Sequence, residues 1–252
     1  FFLVLSFIKS AYLAFLARKQ SVFAYSIIGV ISSKIYNIYL NRPYSFFLSN
    51  NSNTLIRNTI MEVNQLGSGL MNPLLSLITE ILIILAVSLV LILVEPVGYI
   101  VTVLLLGTAT LCFVLATKRL LGKWGMKRQE LDATRLRAIS ESFQTLKEIK
   151  LLHKEKSFLS SYKKIIAENI YVMSMNTWFQ NLPRIFLEFI SMLGLCSLIA
   201  ILLYLDNSFE NILATMGLFT LAIFRVLPSL NRISTSIQSI RFSMASIDII
   251  AK

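Results

Sequence analysis

Residues 74–94 read LLSLITEILIILAVSLVLILV and residues 97–117 read VGYIVTVLLLGTATLCFVLAT. Each run is about the 20 residues that carry a helix across ~30 Å of hydrocarbon. Glu80 is the sole charge in either. Glu95-Pro96 supplies a turn between them, because proline lacks a backbone donor and disfavours helix in the residue before it. The pair reads as a transmembrane hairpin with a very short tip.

Working outward, Trp178 to Leu205 and Leu213 to Leu227 make a second hairpin around an acidic tip of Asp206, Asn207, Ser208 and Glu210. Phe1 to Ala17, broken by Lys9, reads as a weaker crossing that continues through an amphipathic stretch to Leu40. That gives about five spans. Composition agrees: of 252 residues 56% are hydrophobic and 15% charged, with a mean hydropathy of +0.70. Soluble domains carry about 25% charged residues, so a water-facing globule is excluded and a membrane is the expected solvent.

The 24 Lys and Arg against 13 Asp and Glu give a formal charge of 24 − 13 = +11. Such an excess can bind nucleic acid, but position decides otherwise. More than half of the basic residues fall between Lys118 and Lys164, and the flanking apolar runs are nearly bare of them. Arg42, Arg57, this block, Arg232, Arg241 and Lys252 all fall on one side of the expected spans, which positive-inside bias makes cytoplasmic. Cys112 and Cys196 sit in apolar runs and suggest neither a disulfide nor a metal site. The chain opens at Phe1 without methionine and reads as part of a longer protein.

From Lys118 to about Trp178 the sequence keeps helical spacing without breakers. Ile139, Phe143, Leu146 and Ile149 recur every three or four residues, as do Leu159, Tyr162, Ile166, Ile170 and Met173. Helices that leave the bilayer, reverse and return imply a helical intracellular domain built for a partner.

Two segments carry a resemblance. Arg42-Pro43-Tyr44-Ser45-Phe46-Phe47, followed by residues 51–58, resembles the loop between the second and third helices of ATP-binding-cassette (ABC) exporters. Leu146-Lys147-Glu148-Ile149-Lys150-Leu151-Leu152 through Phe158 resembles their loop between the fourth and fifth. Pro183-Arg184, Leu187-Glu188, Gly217-Leu218-Phe219, Phe224-Arg225, Pro228-Ser229, Asn231-Arg232-Ile233, Gln238 and Arg241-Phe242 are similar to the lipid-linked-oligosaccharide flippase branch. The resemblance implies an all-α ABC exporter transmembrane helix bundle spanning residues 1–252, with long helices extending into the cytoplasm and five of the usual six helices present. It also implies that the first transmembrane helix and the nucleotide-binding domain lie outside this fragment. No Gly-x-x-x-x-Gly-Lys-Ser/Thr occurs, and Gly67-Ser68-Gly69 lacks the following lysine and the preceding strand. No catalytic residue, metal site or cofactor is expected in the segment itself. ATP and Mg²⁺ would belong to the nucleotide-binding domain.

Charges inside spans are costly and usually face a polar cavity or a partner. Arg184 and Arg225, with Lys9 behind them, are the candidates for an electropositive cavity that holds a pyrophosphate, since guanidinium offers forked donors to phosphate oxygens. The plainer alternative pairs Arg184 with Glu188 at helical spacing. Glu80 either belongs to that cavity or neutralises one of its basic residues. His153, the single histidine, supports no metal site and is expected on the surface of the coupling turn, among solvated charges. Tyr44, Phe46, Phe47, Leu151, Leu152, His153 and Phe158 are the residues expected to couple to a nucleotide-binding domain, the apolar ones as anchors in a polar rim.

The leading expectation is therefore an ATP-driven flippase of a polyprenyl-pyrophosphate-linked oligosaccharide in the bacterial plasma (inner) membrane. It would work as a homodimer with its nucleotide-binding domain on the same or a separate chain, and without nucleic acid. An exporter of lipids, drugs or peptides is the alternative within the fold. An ion-coupled carrier would show internal repeats and broken helices, and none is seen.

Overall fold

The computed structural model describes residues 2–94, 96–204 and 209–250. The expected tip residues Glu95, Asp206, Asn207 and Ser208, together with Lys252, lie outside them, as does the side chain of Glu210. The described residues form helices and turns, with no strand among them. In chain order the α-helices are α1 (Phe2–Leu40), α2 (Tyr44–Ser49), α3 (Ser52–Ile56), α4 (Val63–Leu66), α5 (Asn72–Val94), α6 (Pro96–Gln144), α7 (Leu146–Leu151), α8 (Glu155–Tyr204) and α9 (Phe209–Ile250). Two π-helical segments, Arg57–Glu62 and Gly67–Met71, join α3 to α4 and α4 to α5.

Length separates these helices from those of a soluble bundle. The 49 residues of α6 and the 50 of α8 span about 75 Å each at ~1.5 Å per residue, more than twice a ~30 Å hydrocarbon core. Among the described residues four helical stretches are long and apolar enough to cross a membrane: Phe7–Leu40, Ser52–Leu89, Tyr99–Gln144 and Glu155–Ala200. The run expected as the fifth, Leu213 to Leu227, is helical within α9. Along α5, Ile78, Leu82, Leu85 and Leu89 are exposed at helical spacing, forming one stripe suited to lipid and costly in water.

Local chemistry sets the breaks. Pro43 precedes the first residue of α2 with an extended backbone, and the Asn51 side chain caps α3 by accepting from the Asn53 N–H at 2.8 Å. Thr145 ends α6 while its Oγ1 donates to the Glu141 carbonyl at 2.8 Å. Pro183 and Pro228 sit inside α8 and α9 without ending them, as proline does in membrane helices whose freed backbone groups find other partners.

Two apolar patterns differ from expectation. The 139–149 stripe is cut at Thr145, leaving Phe143 and Leu146 exposed and Ile149 alone buried. Along the 159–173 stripe of α8 the buried positions are Asn169 and Val172, whereas Ile170 and Met173 are exposed. A stripe counted only from apolar residues misses the polar member that faces inward.

The chain divides into two compact units. The first comprises the described residues of Phe1–Leu75, Gly122–Ser174 and Phe242–Lys252, the second Ser76–Leu121 and Met175–Arg241. In the first, Leu131, Val172 and Phe242 pack with Trp124. Gly125 there permits close approach, because a Cβ would collide with the Phe242 carbonyl. In the second, Tyr99, Leu106, Ala109, Leu187 and Val226 form the core from α6, α8 and α9. The hydroxyls of Ser88 and Tyr99 meet between α5 and α6.

Candidate functional site

The second unit holds a cavity of about 740 Å³ between α8 and α9, within the range of small-molecule sites. Its walls include Met192, Leu195, Phe224 and Leu227, and its charges are Arg184, Glu188 and Arg232. Spacing along α8 brings the Arg184 Nε to 2.9 Å from Glu188 Oε1. Arg232 on α9 reaches across to Glu80 on α5, with Nε 2.7 Å from Oε1. The partners differ in setting. The Arg184 and Glu188 side chains are 70% and 52% exposed, while Glu80 is 7% exposed against 56% for Arg232.

Arg184 pairs with Glu188 and also lines the cavity. Glu80 neutralises a basic residue, and that residue is Arg232, which the sequence reading placed among the cytoplasmic positives. Arg225 is exposed on α9 and is not among the lining residues of this cavity. Lys9 is exposed on α1, in the first unit.

The first unit carries the two short helices. On α2, Tyr44, Phe47 and Leu48 are exposed. Phe46 turns the other way, stacking on Tyr39 at 6.1 Å under the Arg42 guanidinium at 5.6 Å. At α7, Leu151, Leu152 and Phe158 are exposed apolar residues. His153 has φ 49°, the left-handed position. The helix closes there by a paired motif: the His153 N–H donates to the Lys150 carbonyl at 3.3 Å and the Lys154 N–H to the Ile149 carbonyl at 3.0 Å. Glycine is usual at that position, and histidine is among the few residues that tolerate it. Lys150 Nζ spans the turn to Glu155 Oε1 at 3.1 Å. The backbone N–H of Glu155, and then Lys150, hold that carboxyl below its ordinary value.

A third feature escaped the sequence reading altogether. Within the first unit Glu62 is fully buried; it accepts from Ser246 Oγ at 2.6 Å and Arg128 Nη2 at 3.2 Å, with Arg57 Nε at 3.7 Å. Arg128 also donates to Asp132 at 2.9 Å, and Asp132 accepts from Asn169 Nδ2 at 3.2 Å and faces Arg135 at 3.4 Å. The basic block is therefore not wholly solvated, since Arg128 is 3% exposed. The π segment explains why Arg57 and Glu62 share a face: five residues apart, they diverge on an α-helix and converge on the wider turn. One signal was available, because Glu62 is the first acidic residue in the chain and stands in an otherwise uncharged stretch, residues 58–79.

No protein-family model matches the chain. Among solved structures it is similar to a bacterial Atm1-family ABC exporter with ATP bound, with a TM-score of 0.69 and 12% sequence identity over 90% of this chain and 40% of that one. The fold is thus that of an all-α, multi-pass membrane protein with the transmembrane helix bundle of an ABC exporter. The chain spans less than half the length of that exporter.

Proposed function

We propose that this chain is the transmembrane domain of an ATP-driven ABC transporter. The observation that carries the reading is the pair of short helices α2 and α7, each presenting exposed apolar side chains beside helices far longer than a bilayer. Apolar anchors in a charged surround suit a docking partner. That partner would be a nucleotide-binding domain, on the same or a separate chain, in a homodimer of the bacterial plasma membrane.

The one glycine pair resembling a phosphate loop does not suit ATP. Gly67-Ser68-Gly69 lies in a π-helical turn in which added Cβ atoms would collide with Ile28 and Ser243, so its backbone is packed rather than open to phosphate. The nucleotide would be held by the partner domain, whose closure supplies the work. The anchors on α2 and α7 transmit it to α1, α6 and α8.

For cargo we propose a polyprenyl-pyrophosphate-linked oligosaccharide, supported by the arginine-bearing cavity and by the resemblance of residues 183–242 to the flippase branch. One observation favours a lipid, drug or peptide exporter instead: Arg184 and Arg232 each already have a carboxylate partner.

The docking role is tested in proteoliposomes of the full transporter. Truncating both Leu152 and Phe158 to Ala is expected to reduce transport per ATP hydrolysed by about tenfold or more, since losing anchor residues commonly costs ~2 kcal/mol. An unchanged ratio removes α7 from the coupling path.

A further inference from the structure

Within the first unit, where α3 meets α6, six residues enclose a recess: Asn51, Asn53, Thr54 and Arg57 on one side, Ala133 and Arg137 on the other. The first four come from α3 and its flanks, and Ala133 and Arg137 stand one turn apart on a face of α6. We propose that this recess is a binding site for a small inorganic anion of chloride size, held between the guanidiniums of Arg57 and Arg137. The anion would link the stretch that follows α2 to the stretch that precedes α7.

Charge calls for such a guest. Arg57, Arg128 and Arg135 share Glu62 and Asp132, so three guanidiniums face two carboxylates and one positive charge is left over. Arg137 adds another, since it has neither a hydrogen-bond nor an ion-pair partner among the described residues. No carboxylate lines the recess. Two like charges bordering one small space repel unless something negative lies between them. Arg57 is 9% exposed, and its buried Nε has no hydrogen-bond partner, the nearest Glu62 oxygen being 3.7 Å away. A buried charged donor left in that state is costly.

The uncharged lining has the matching chemistry. Asn51 Oδ1 already accepts from the Asn53 N–H at the α3 cap, which leaves the Asn51 amide NH₂ as a donor. The Asn53 amide and the Thr54 hydroxyl are donors as well, so each polar side chain in the lining can offer a proton. Size narrows the guest. The recess holds about 10 Å³, close to the room that one water-sized guest needs. A single-atom anion suits it, whereas a phosphate, or a carboxylate with its stem, does not. A water in the same place would satisfy the donors and leave both charges uncompensated. Ala133 keeps the space open, because a longer side chain there would fill it.

The experiment follows melting of the full transporter in phosphatidylcholine nanodiscs at constant pH and ionic strength, while chloride replaces gluconate, an anion too large for the recess. A saturable rise in Tm with chloride is expected, reproduced by bromide and not by sulfate. Arg137→Gln should raise the half-saturating chloride concentration about tenfold, the loss of a charge-assisted contact. Arg137→Lys keeps the charge without the planar fork and should fall between. Ala133→Val should weaken the response by occupying the space. Arg137→Gln is the deciding variant, because Arg137 is exposed and lies outside the buried network, so its loss leaves the fold intact.

A wild-type Tm that ignores the exchange overturns the proposal. So does an unchanged half-saturating concentration in Arg137→Gln, which places the chloride elsewhere, and so does an equal response to sulfate, which reduces the effect to general screening. If chloride has no effect and Arg137→Gln nevertheless lowers transport per ATP hydrolysed, the recess receives a carboxylate of a docked partner and the anion site falls.

Discussion

Arg128 and Arg232 meet carboxylates at nearly the same distance, 2.9 and 2.7 Å, in the first and second units. Their surroundings assign them different work. Arg128 is 3% exposed and shared among Glu62, Asp132 and Ser246, so its donors are mostly consumed within the fold. Arg232 is 56% exposed, borders a cavity and has one carboxylate partner. The contact distance of an ion pair therefore says little about its role. Burial and the number of remaining donors say more.

The largest expected effect comes from breaking the buried network. Glu62→Ala or Arg128→Ala should each destabilise the protein by about 3–5 kcal/mol, because removing one partner strands a buried charge. Melting in nanodiscs measures it. Replacing both at once, Glu62→Leu with Arg128→Met, should cost less than the sum of the two single changes, since their mutual contact is lost only once, although Arg57 and Asp132 each still lose a partner. A double variant whose cost equals that sum would show that Glu62 and Arg128 do not act on one another.

Next in size, Arg184→Ala should lower flipping of a pyrophosphate-linked lipid about tenfold while leaving basal ATPase activity nearly unchanged, and Arg225→Ala, outside the cavity lining, should lower it less. The melting temperature of Arg184→Ala should hardly move, as an exposed pair contributes only ~0–1 kcal/mol. Headgroup protection from an impermeant enzyme reports the flipping. If stability and flipping fell together, the second unit's arginines would resemble Arg128 and the contrast would dissolve.

A smaller effect is expected at α7. His153→Gly should stabilise the turn by about 1 kcal/mol, because glycine enters the left-handed region without the Cβ penalty. Slower hydrogen exchange of Ile149 to Lys154 is the readout.

The smallest concerns the Lys150–Glu155 contact. The Glu155 carboxyl is held below its ordinary value, so its contribution is present above that value and fades as pH falls through the lowered one. Protease nicking at residues 152–154 should therefore rise only under acid conditions. Glu155→Gln should abolish that pH dependence.

Much of this was legible from residue order. The apolar runs 74–94 and 97–117 follow from local rules of length and hydrophobicity, whereas the break at Thr145 interrupts a stripe read as continuous. The Arg184–Glu188 pair is also local, its spacing lying within one helix. Glu80 could be recognised as a neutralising charge, but its partner could not be named, because Arg232 is remote in sequence. Phe46 was expected among outward anchors, and its stacking on Tyr39 depends on how α1 meets α2.

The sequence by itself determined an all-α membrane protein with helices longer than a bilayer, because those properties depend on hydrophobic length and on neighbouring residues. Tertiary structure alone decided which charges are buried. Glu62 joins Arg128 only through a π turn and the packing of α6 and α9 around it, and Arg232 joins Glu80 only where α9 meets α5. A charge's role is set by what surrounds it in space, and residues far apart in the chain supply those surroundings.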